Sequence, residues 1–395
     1  MTETQSGDMG KIEIKRIAGG RELKAFVRFR NELYRDCEYA VPYLISEELA
    51  TLSEDKNAAF ECCEAAYFMA FRDGKAVGRV AGIINRRANE RWNCKWVRFG
   101  WFDFIDDEEV SQALMAAVEE WGRRKGMAEV VGPLGFTDMD REGLLIEGFD
   151  QLATMYSNYN HAYYPRHIER MGGFEKDNDY LEYKVKVPEV IPEKFAKTSA
   201  LIESRYNLHV RKLTRDELLR QGYGRRVFEM VNITYSDLYG YSELSERQID
   251  QLVDSYIKVA DLNLVTVVED WNTPDHRFVG FGITFPSFSH ALRRCGGKLF
   301  PRGWWDLLRV IKWHKTDIVD LLLIGVLPDY RAKGANALIF NDLIARFQRY
   351  GFKWAEAMQQ METNHGVLSQ WQYLEAVQHK KHRCYRKRLI EGGRC

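Results

Sequence analysis

The feature that most constrains this chain is an internal repeat. Residues 65–85, AAYFMAFRDGKAVGRVAGIIN, are two β-rich runs around Asp73-Gly74, a dipeptide suited to a tight hairpin turn. Residues 262–285, LNLVTVVEDWNTPDHRFVGFGITF, repeat the plan with a longer loop, and Val77-Gly78 and Val279-Gly280 take the same place in the second strand. Each hairpin is followed by an apolar run, a helical period and a second apolar run. These are residues 96–105, 106–126 and 128–136 in the first half, and 317–326, 334–350 and 353–361 in the second. In the first helix Val110, Ala113, Leu114, Ala117, Val118 and Trp121 fall on one face; acids open it, bases close it and Gly126 stops it. A strand–helix–strand unit requires parallel pairing across its crossover. The expectation is an α+β (mixed α/β) chain of two tandem domains, 1–190 and 191–395, each a mixed, mostly antiparallel sheet flanked by helices. The proline-bearing segment 185–195 marks the joint.

Composition narrows the function classes. Lys plus Arg and Asp plus Glu both number 57, so the chain has no global surplus of positive charge for nucleic acid. The seven cysteines are scattered without a CxxC pair, which argues against a disulfide framework or structural zinc. The histidines are dispersed, and no metal is expected. Residues 1–11 are polar, unlike a signal peptide, and the apolar run 321–327 is too short to span a bilayer. The expected location is cytoplasmic, with an option of peripheral contact at the inner membrane face.

The second half carries a corner with chemical content, VLPDYRAKGANALIF, residues 326–340. A strand ends at a proline, a basic stretch with a glycine follows, and a helix begins. A helix start offers unpaired N–H groups and a positive dipole end, and a glycine there lets the backbone close on an anion. The corner is read as a cradle for a diphosphate, against the plainer reading of a turn with exposed bases.

With the hairpin and the strand–helix–strand order around it, this corner resembles the GNAT superfamily of acyl-CoA-dependent N-acetyltransferases. That family's fingerprint here is Arg/Gln-x-x-Gly-x-Gly/Ala, and this chain has Arg331, Gly334 and Asn336 at the three places, the last a departure. The resemblance implies a β-α-β cofactor unit and acetyl-CoA or a longer acyl-CoA as co-substrate. It also implies that Leu327, Arg331, Ala332, Lys333, Gly334, Ala335, Asn336 and Asn364 line the cofactor's path. Backbone N–H groups of residues 324–327, on a strand expected to bulge near Gly325, would serve the thioester oxygen. The first half resembles the same fold with the cradle erased: Asp106, Asp107, Glu108 and Glu109 stand there without a glycine and would repel a diphosphate.

Moving an acyl group from a thioester to an amine needs a base for the amine's proton and, in many members, an acid for the leaving thiol. The resemblance makes Asp320, six residues before Val326, the candidate base, with Glu362 at the end of the next strand as its rival. A family tyrosine seven residues after Asn364 would lie in a last helix; Trp371 occupies that place here, so Tyr373 or Tyr385 is the candidate acid.

Three segments bear on the acceptor. On a helical wheel residues 303–315 put Trp304, Leu307, Leu308 and Ile311 on one face, which suits a helix in a membrane interface or a lid over an apolar ligand. Residues 379–388, HKKHRCYRKR, carry six lysines and arginines that would add attraction to anionic lipid. Residues 143–174, rich in Tyr, Asn and His, are expected to line a cleft. Together they suggest a small-molecule or lipid amine acceptor, as in the bacterial ceramide synthases of the broader group. The rival readings are a non-catalytic acyl-CoA-binding protein and a tandem-GNAT aminoacyl transferase that uses charged tRNA.

Overall fold

The structure, a computed structural model, describes residues 10–389, without the side chains of residues 257–259. The expectation for the extreme N-terminus therefore lies mostly outside the described residues. The strands are β1 (Glu13–Ile17), β2 (Cys63–Arg72), β3 (Lys75–Asn85), β4 (Trp96–Phe104), β5 (Glu129–Gly132), β6 (Leu144–Glu147), β7 (Glu175–Lys186), β8 (Leu208–Arg211), β9 (Val265–Asp270), β10 (Arg277–Pro286), β11 (Ile318–Val326), β12 (Trp354–Met361) and β13 (Ala376–Arg388).

They form one continuous sheet in the order β1-β2-β3-β4-β5-β13-β7-β12-β11-β10-β9-β8, with β6 added against β13. The order reads alike from both ends, because each half contributes the same series. The pairing is antiparallel except where the two crossover units make β4–β5 and β11–β12 parallel. The mixed, mostly antiparallel α+β class follows the sequence, as do both hairpins.

Apolar periodicity explains the helices. In Glu108–Arg124 the residues Val110, Leu114, Val118 and Trp121 are buried against the first half of the sheet. Its counterpart, Ala335–Tyr350, buries Leu338, Ile339, Leu343, Ile344 and Phe347. Burying such faces supplies most of a helix's stability in a protein. Gly78 and Gly82 in β3, and Gly282 in β10, let these helices sit close. A methyl on Gly82 would stand 2.9 Å from the Trp121 ring, and one on Gly282 2.6 Å from Ile339.

At the centre the two halves exchange strands. β13, which ends the second half, pairs with β5 and β6 of the first, while β7, which ends the first half, pairs with β12 of the second. The two exchanged strands also pair with each other over most of their length.

This seam corrects the reading of residues 379–388 as a surface basic patch. Lys380 pairs with Glu182 at 2.7 Å, Lys381 and Arg383 with Asp179 at 3.0 and 2.7 Å, Arg386 with Asp177, and Lys387 with Glu119 at 2.7 Å. Lys380 and His382 are buried. These charges are spent on the neighbouring strand β7 and on the helix Glu108–Arg124, because a period of two puts alternate bases on each face of a central strand.

Candidate active site

The corner of the second half is built as its residues require. Residues Pro328–Arg331 make one helical turn, and Gly334 then takes a left-handed conformation, φ +79°, as N-cap of Ala335–Tyr350. No side chain caps that helix. Its first-turn N–H groups, Ala335 and Asn336 among them, have no carbonyl ahead of them in the helix to bond. The equivalent helix in the first half is closed off: Asp107 caps it by accepting from the N–H groups of Glu109 and Val110, and Arg72 pairs with Asp107. One helix start is ready for an anion and its repeat carries its own.

The side chains at the corner divide the work. Arg331 donates from Nε to the Val326 carbonyl and from Nη2 to the Thr234 carbonyl, both at 3.1 Å, so it ties the turn to the strand. Lys333 lies over the Tyr330 ring at 4.1 Å. Asn336 donates to Gln370 at 2.7 Å, which fixes it along the wall. Ala332 is exposed beside Gly334. The helix Glu193–Tyr206 bounds the other side, with Ile202 3.3 Å from where a Gly334 side chain would begin. These residues fit the diphosphate of an acyl-CoA.

The strand leading to the corner is bulged. β10 and β11 pair regularly to Ile283–Leu323 and then slip to Thr284–Leu321, leaving Leu322 as the extra residue. Gly325 is a site of close approach rather than the bulge itself: a methyl there would lie 2.5 Å from the Phe281 ring and 2.8 Å from the Thr234 hydroxyl. The Leu327 N–H donates to Val279 at 2.9 Å. Antiparallel alternation then turns the N–H and C=O groups of Ile324 and Val326 away from β10. The Ile324 carbonyl accepts from the Tyr235 hydroxyl at 3.2 Å and that of Val326 from Arg331, in agreement.

Those groups face a gap. β11 and β12 are paired only through residues 318–321 and 354–357, and beyond these β12 keeps only β7, its partner on the other edge. The first half diverges similarly after Arg98–Val131, but there the chain fills its own gap. The Leu134 N–H donates to Phe99 at 2.8 Å, and the Leu134 carbonyl would be 2.6 Å from any methyl on Gly100. The apolar run 128–136 is thus strand only to Gly132, and its remainder is a plug.

Asp320 is wholly buried on β11, register partner of Glu356 on β12. Burial pushes its carboxyl well above the usual range, the charge of Glu356 adds to this, and Ser287 and Lys380 partly offset it. Beyond Glu356 runs a row of polar side chains: His379 2.8 Å from Glu356, then Lys380 and His382 at 2.7 and 3.0 Å from Glu182. Burial opposes the charge on Glu182, but Lys380 and His382 overcome it and hold its pKa below the ordinary value. Glu182, Glu356 and His379 bring ligand atoms within 4.8 Å of one another, as a metal site would. The Lys380 ammonium already stands between the two carboxylates. Sequence reading missed this row because its members come from strands that meet only through the exchange.

Other sequence candidates lie apart from Asp320. Glu362 is past the end of β12, six residues beyond Glu356 and so about 20 Å along a strand, where it pairs with Lys176 at 2.5 Å. Asn364 caps the short turn His365–Leu368, its side chain accepting from Val367. The expected last helix is this turn and a second one, Trp371–Tyr373. Trp371 is buried, donating to Gln360 at 2.9 Å. Tyr373 lies under Lys194, whose ammonium is 3.1 Å from its ring centre. Tyr385 is in the seam opposite Gly132. Tyr235, at the gap, is a contact that sequence spacing gave no reason to single out.

A cavity of about 400 Å³ lies between the halves. Leu252, Tyr256, Phe288, Leu292, Leu307 and Ile311 give it an apolar wall from the second half, and Leu44, Phe136, Met139 and Met155 one from the first. Glu47, Glu48, Asp140 and Arg141 lie at a charged part of its lining. Glu48 is bound to Arg141 at 2.8 Å. Burial raises Asp140 to about 6 and also raises Glu47. Tyr156 lines the cavity and lies close enough to Asp320 for that carboxylate to help raise its hydroxyl, chiefly elevated by burial. Phe288 lines it as well, next to the Ser287 that neighbours Asp320. Asp320 is itself outside this lining, with Tyr156 and Phe288 the lining residues linked to it and the β11–β12 gap continuing along its own strand. From residues 143–174, Met155 and Tyr156 reach the cavity.

Comparisons with known proteins agree with this architecture. No family model matches the chain. It is 26% identical over 380 residues to protein YghO of Escherichia coli, covering 95% of each chain. It is 25% identical over 412 residues to the bacterial ceramide synthase of Caulobacter vibrioides, covering 98% of this chain and 99% of that one. Among solved structures it matches a tandem GNAT protein from the clavulanic acid biosynthesis pathway, with TM-score 0.56, 10% identity and coverage of 97% and 100%. A GCN5-related N-acetyltransferase from Sphaerobacter thermophilus gives TM-score 0.53, 13% identity and coverage of 97% and 98%. The fold is that of the tandem GNAT acetyltransferases, over the whole chain.

Proposed function

We propose that this chain, which has the tandem GNAT fold, is an acyl-CoA-dependent N-acyltransferase whose acceptor is an amine on a long apolar chain. The observation that carries the reading is the cavity between the halves: mostly apolar, with carboxylates in its lining, and lined by Tyr156, whose hydroxyl the Asp320 charge helps raise, and by Phe288, next in the chain to Ser287. An ammonium group is attracted by Glu47 and Asp140, while its chain replaces water along Leu252, Phe288, Leu292, Leu307 and Ile311.

The acyl-CoA supplies the thioester. Within this chain the uncapped helix start at Gly334 binds its diphosphate, and the Val326 and Ile324 N–H groups in the open gap receive its arm. The Ile324 N–H is placed to donate to the thioester oxygen as negative charge develops there. The bound ammonium first gives one proton to solvent; Asp320 then accepts the second, released as the amine nitrogen bonds the carbonyl carbon and the carbon–sulfur bond breaks, the sulfur leaving as thiolate. A carboxyl that burial keeps from ionising becomes a stronger base once it does ionise, which suits removal of a proton from an amine. The plugged gap and carboxylate-capped helix of the first half support one reaction centre per chain, in the second half. The name of the Caulobacter relative, a ceramide synthase, supports a long-chain acyl group and a sphingoid-type amine.

Purified protein offered palmitoyl-CoA and a panel of sphingoid bases, fatty amines and short polar amines tests this. Thiol release and amide product with the long-chain amines, lost in Asp320→Asn, are expected. Turnover confined to short polar amines, or absent with all of them, overturns the reading.

A further inference from the structure

The helix Gly303–Trp313 has two faces with different neighbours. Val310 is buried, and Leu307 and Ile311 form part of the cavity wall. About a third of a turn or more from Leu307 and Ile311, Trp305, Arg309, Lys312 and Trp313 are exposed, and so is Trp304, which opens the helix on the Leu307–Ile311 side. Trp304, Trp305 and Trp313 are each nearly half exposed, at 47%, 47% and 49%, and Phe300 just before the helix is 78% exposed. The tryptophans form one patch, with ring centres 5.7 Å apart for Trp304–Trp305 and 5.6 Å for Trp305–Trp313. Burying large aromatics is among the most favourable uses of surface, so a contiguous group left in water marks a binding face.

The charge around the patch identifies what covers it. From Arg293 to Lys315 there are seven lysines and arginines and a single acid, Asp306, which Arg294 neutralises at 3.1 Å. Arg293, Lys298, Arg302, Arg309, Lys312 and Lys315 are exposed in the same stretch of chain. This local surplus stands out in a chain of zero net charge. Exposed indole rings with lysines and arginines close by in the chain suit the headgroup layer of an anionic bilayer, where the rings reach the acyl boundary and the bases meet lipid phosphates. Among the described residues no helix is long and apolar enough to cross a membrane, so the contact is peripheral.

We propose that the surface of Phe300, Trp304, Trp305 and Trp313, with its ring of bases, docks this protein on anionic lipid bilayers. Since Leu307 and Ile311 lie on the same helix, docking brings the wall of the cavity to the membrane. Recruitment stands on the exposed patch alone; delivery of a lipid amine from the bilayer rests on the function proposed above.

The test is vesicle co-sedimentation of the whole protein without acyl-CoA, which is independent of turnover. Vesicles of phosphatidylcholine alone are compared with vesicles containing phosphatidylglycerol. We expect binding to the anionic vesicles, weakened by salt. The loss should be about tenfold or more in Trp305→Ala/Trp313→Ala and about 30-fold in Arg309→Gln/Lys312→Gln. Circular dichroism and thermal melting of both variants should match the parent, since all four side chains are exposed. Absence of binding to anionic vesicles, or binding that both variants retain, overturns the proposal. So does self-association of the parent in solution that Trp305→Ala/Trp313→Ala abolishes, which would assign the patch to a second copy.

Discussion

Asp320 and Glu356 are register partners on the parallel strands β11 and β12, two buried carboxyl groups side by side at the point where those strands begin to part. Burial and the Glu356 charge favour the protonated form of Asp320. In the proposed reaction Asp320 is the base and must be ionised to act, so the rate should rise with pH through its elevated pKa. Asp320→Asn should lower kcat by roughly 10²–10⁴-fold and abolish that limb of the pH profile.

The same shift has a stability consequence of definite sign. A carboxyl whose pKa is raised by folding holds its proton in the native state over a pH range where the unfolded chain has released it. Stability then falls as pH rises from the ordinary carboxylate range toward the folded value. Thermal melting of Asp320→Asn should therefore show a smaller loss between pH 5 and 9 than the parent, while activity is lost. A variant less stable at every pH would mark Asp320 as structural.

At the corner, Gly334→Asp should reproduce in the second half what Asp107 does in the first, putting a carboxylate at the helix start. Titration with acetyl-CoA and palmitoyl-CoA should show affinity lowered at least about tenfold. Gly334→Ala separates strain from charge: at φ +79° it costs about 1 kcal/mol of stability and retains more affinity than the aspartate.

Filling the cavity should affect one substrate. Ile311→Trp projects added volume between Phe288 and Leu292 and should raise KM for long-chain amines roughly tenfold, the scale of two lost methylene contacts. KM for acyl-CoA should stay within twofold. Equal effects on both would place the acyl chain in this cavity.

The carboxylates of the cavity give a second pH effect, on amine affinity. Asp140 loses its proton near pH 6, and Glu47 ionises above its ordinary value. KM for a long-chain amine should fall between pH 5 and 7 as both become negative. Asp140→Asn, which still can accept from the Phe136 and Thr137 N–H groups that now bond Asp140, should flatten that fall without changing the pH dependence of kcat.

Much of the local architecture could be read from the sequence because its causes are local. Asp73-Gly74 turned the first hairpin, and the Val110–Trp121 face placed the first crossover helix against its sheet. The uncapped corner at Gly334 and the capped one at Asp107 were visible as a glycine in one repeat and carboxylates in the other. What could not be read were partnerships between distant strands. HKKHRCYRKR looked like a surface patch because its acids, Asp177, Asp179 and Glu182, lie two hundred residues earlier. The plug at Leu134 was hidden because an apolar run does not reveal where it stops pairing. Trp305 drew no notice because a wheel ranks residues by angle alone, and its ring cluster with Trp313 depends on side-chain geometry.

Because β7 completes the second half's sheet and β13 completes the first's, neither portion should be stable when expressed alone. Cutting the gene near codon 190 would leave each polypeptide with a raw edge and buried polar side chains without their partners. A half without a thioester gap of its own is thus indispensable as scaffolding, and relatives that have lost it would need another strand donor to remain enzymes.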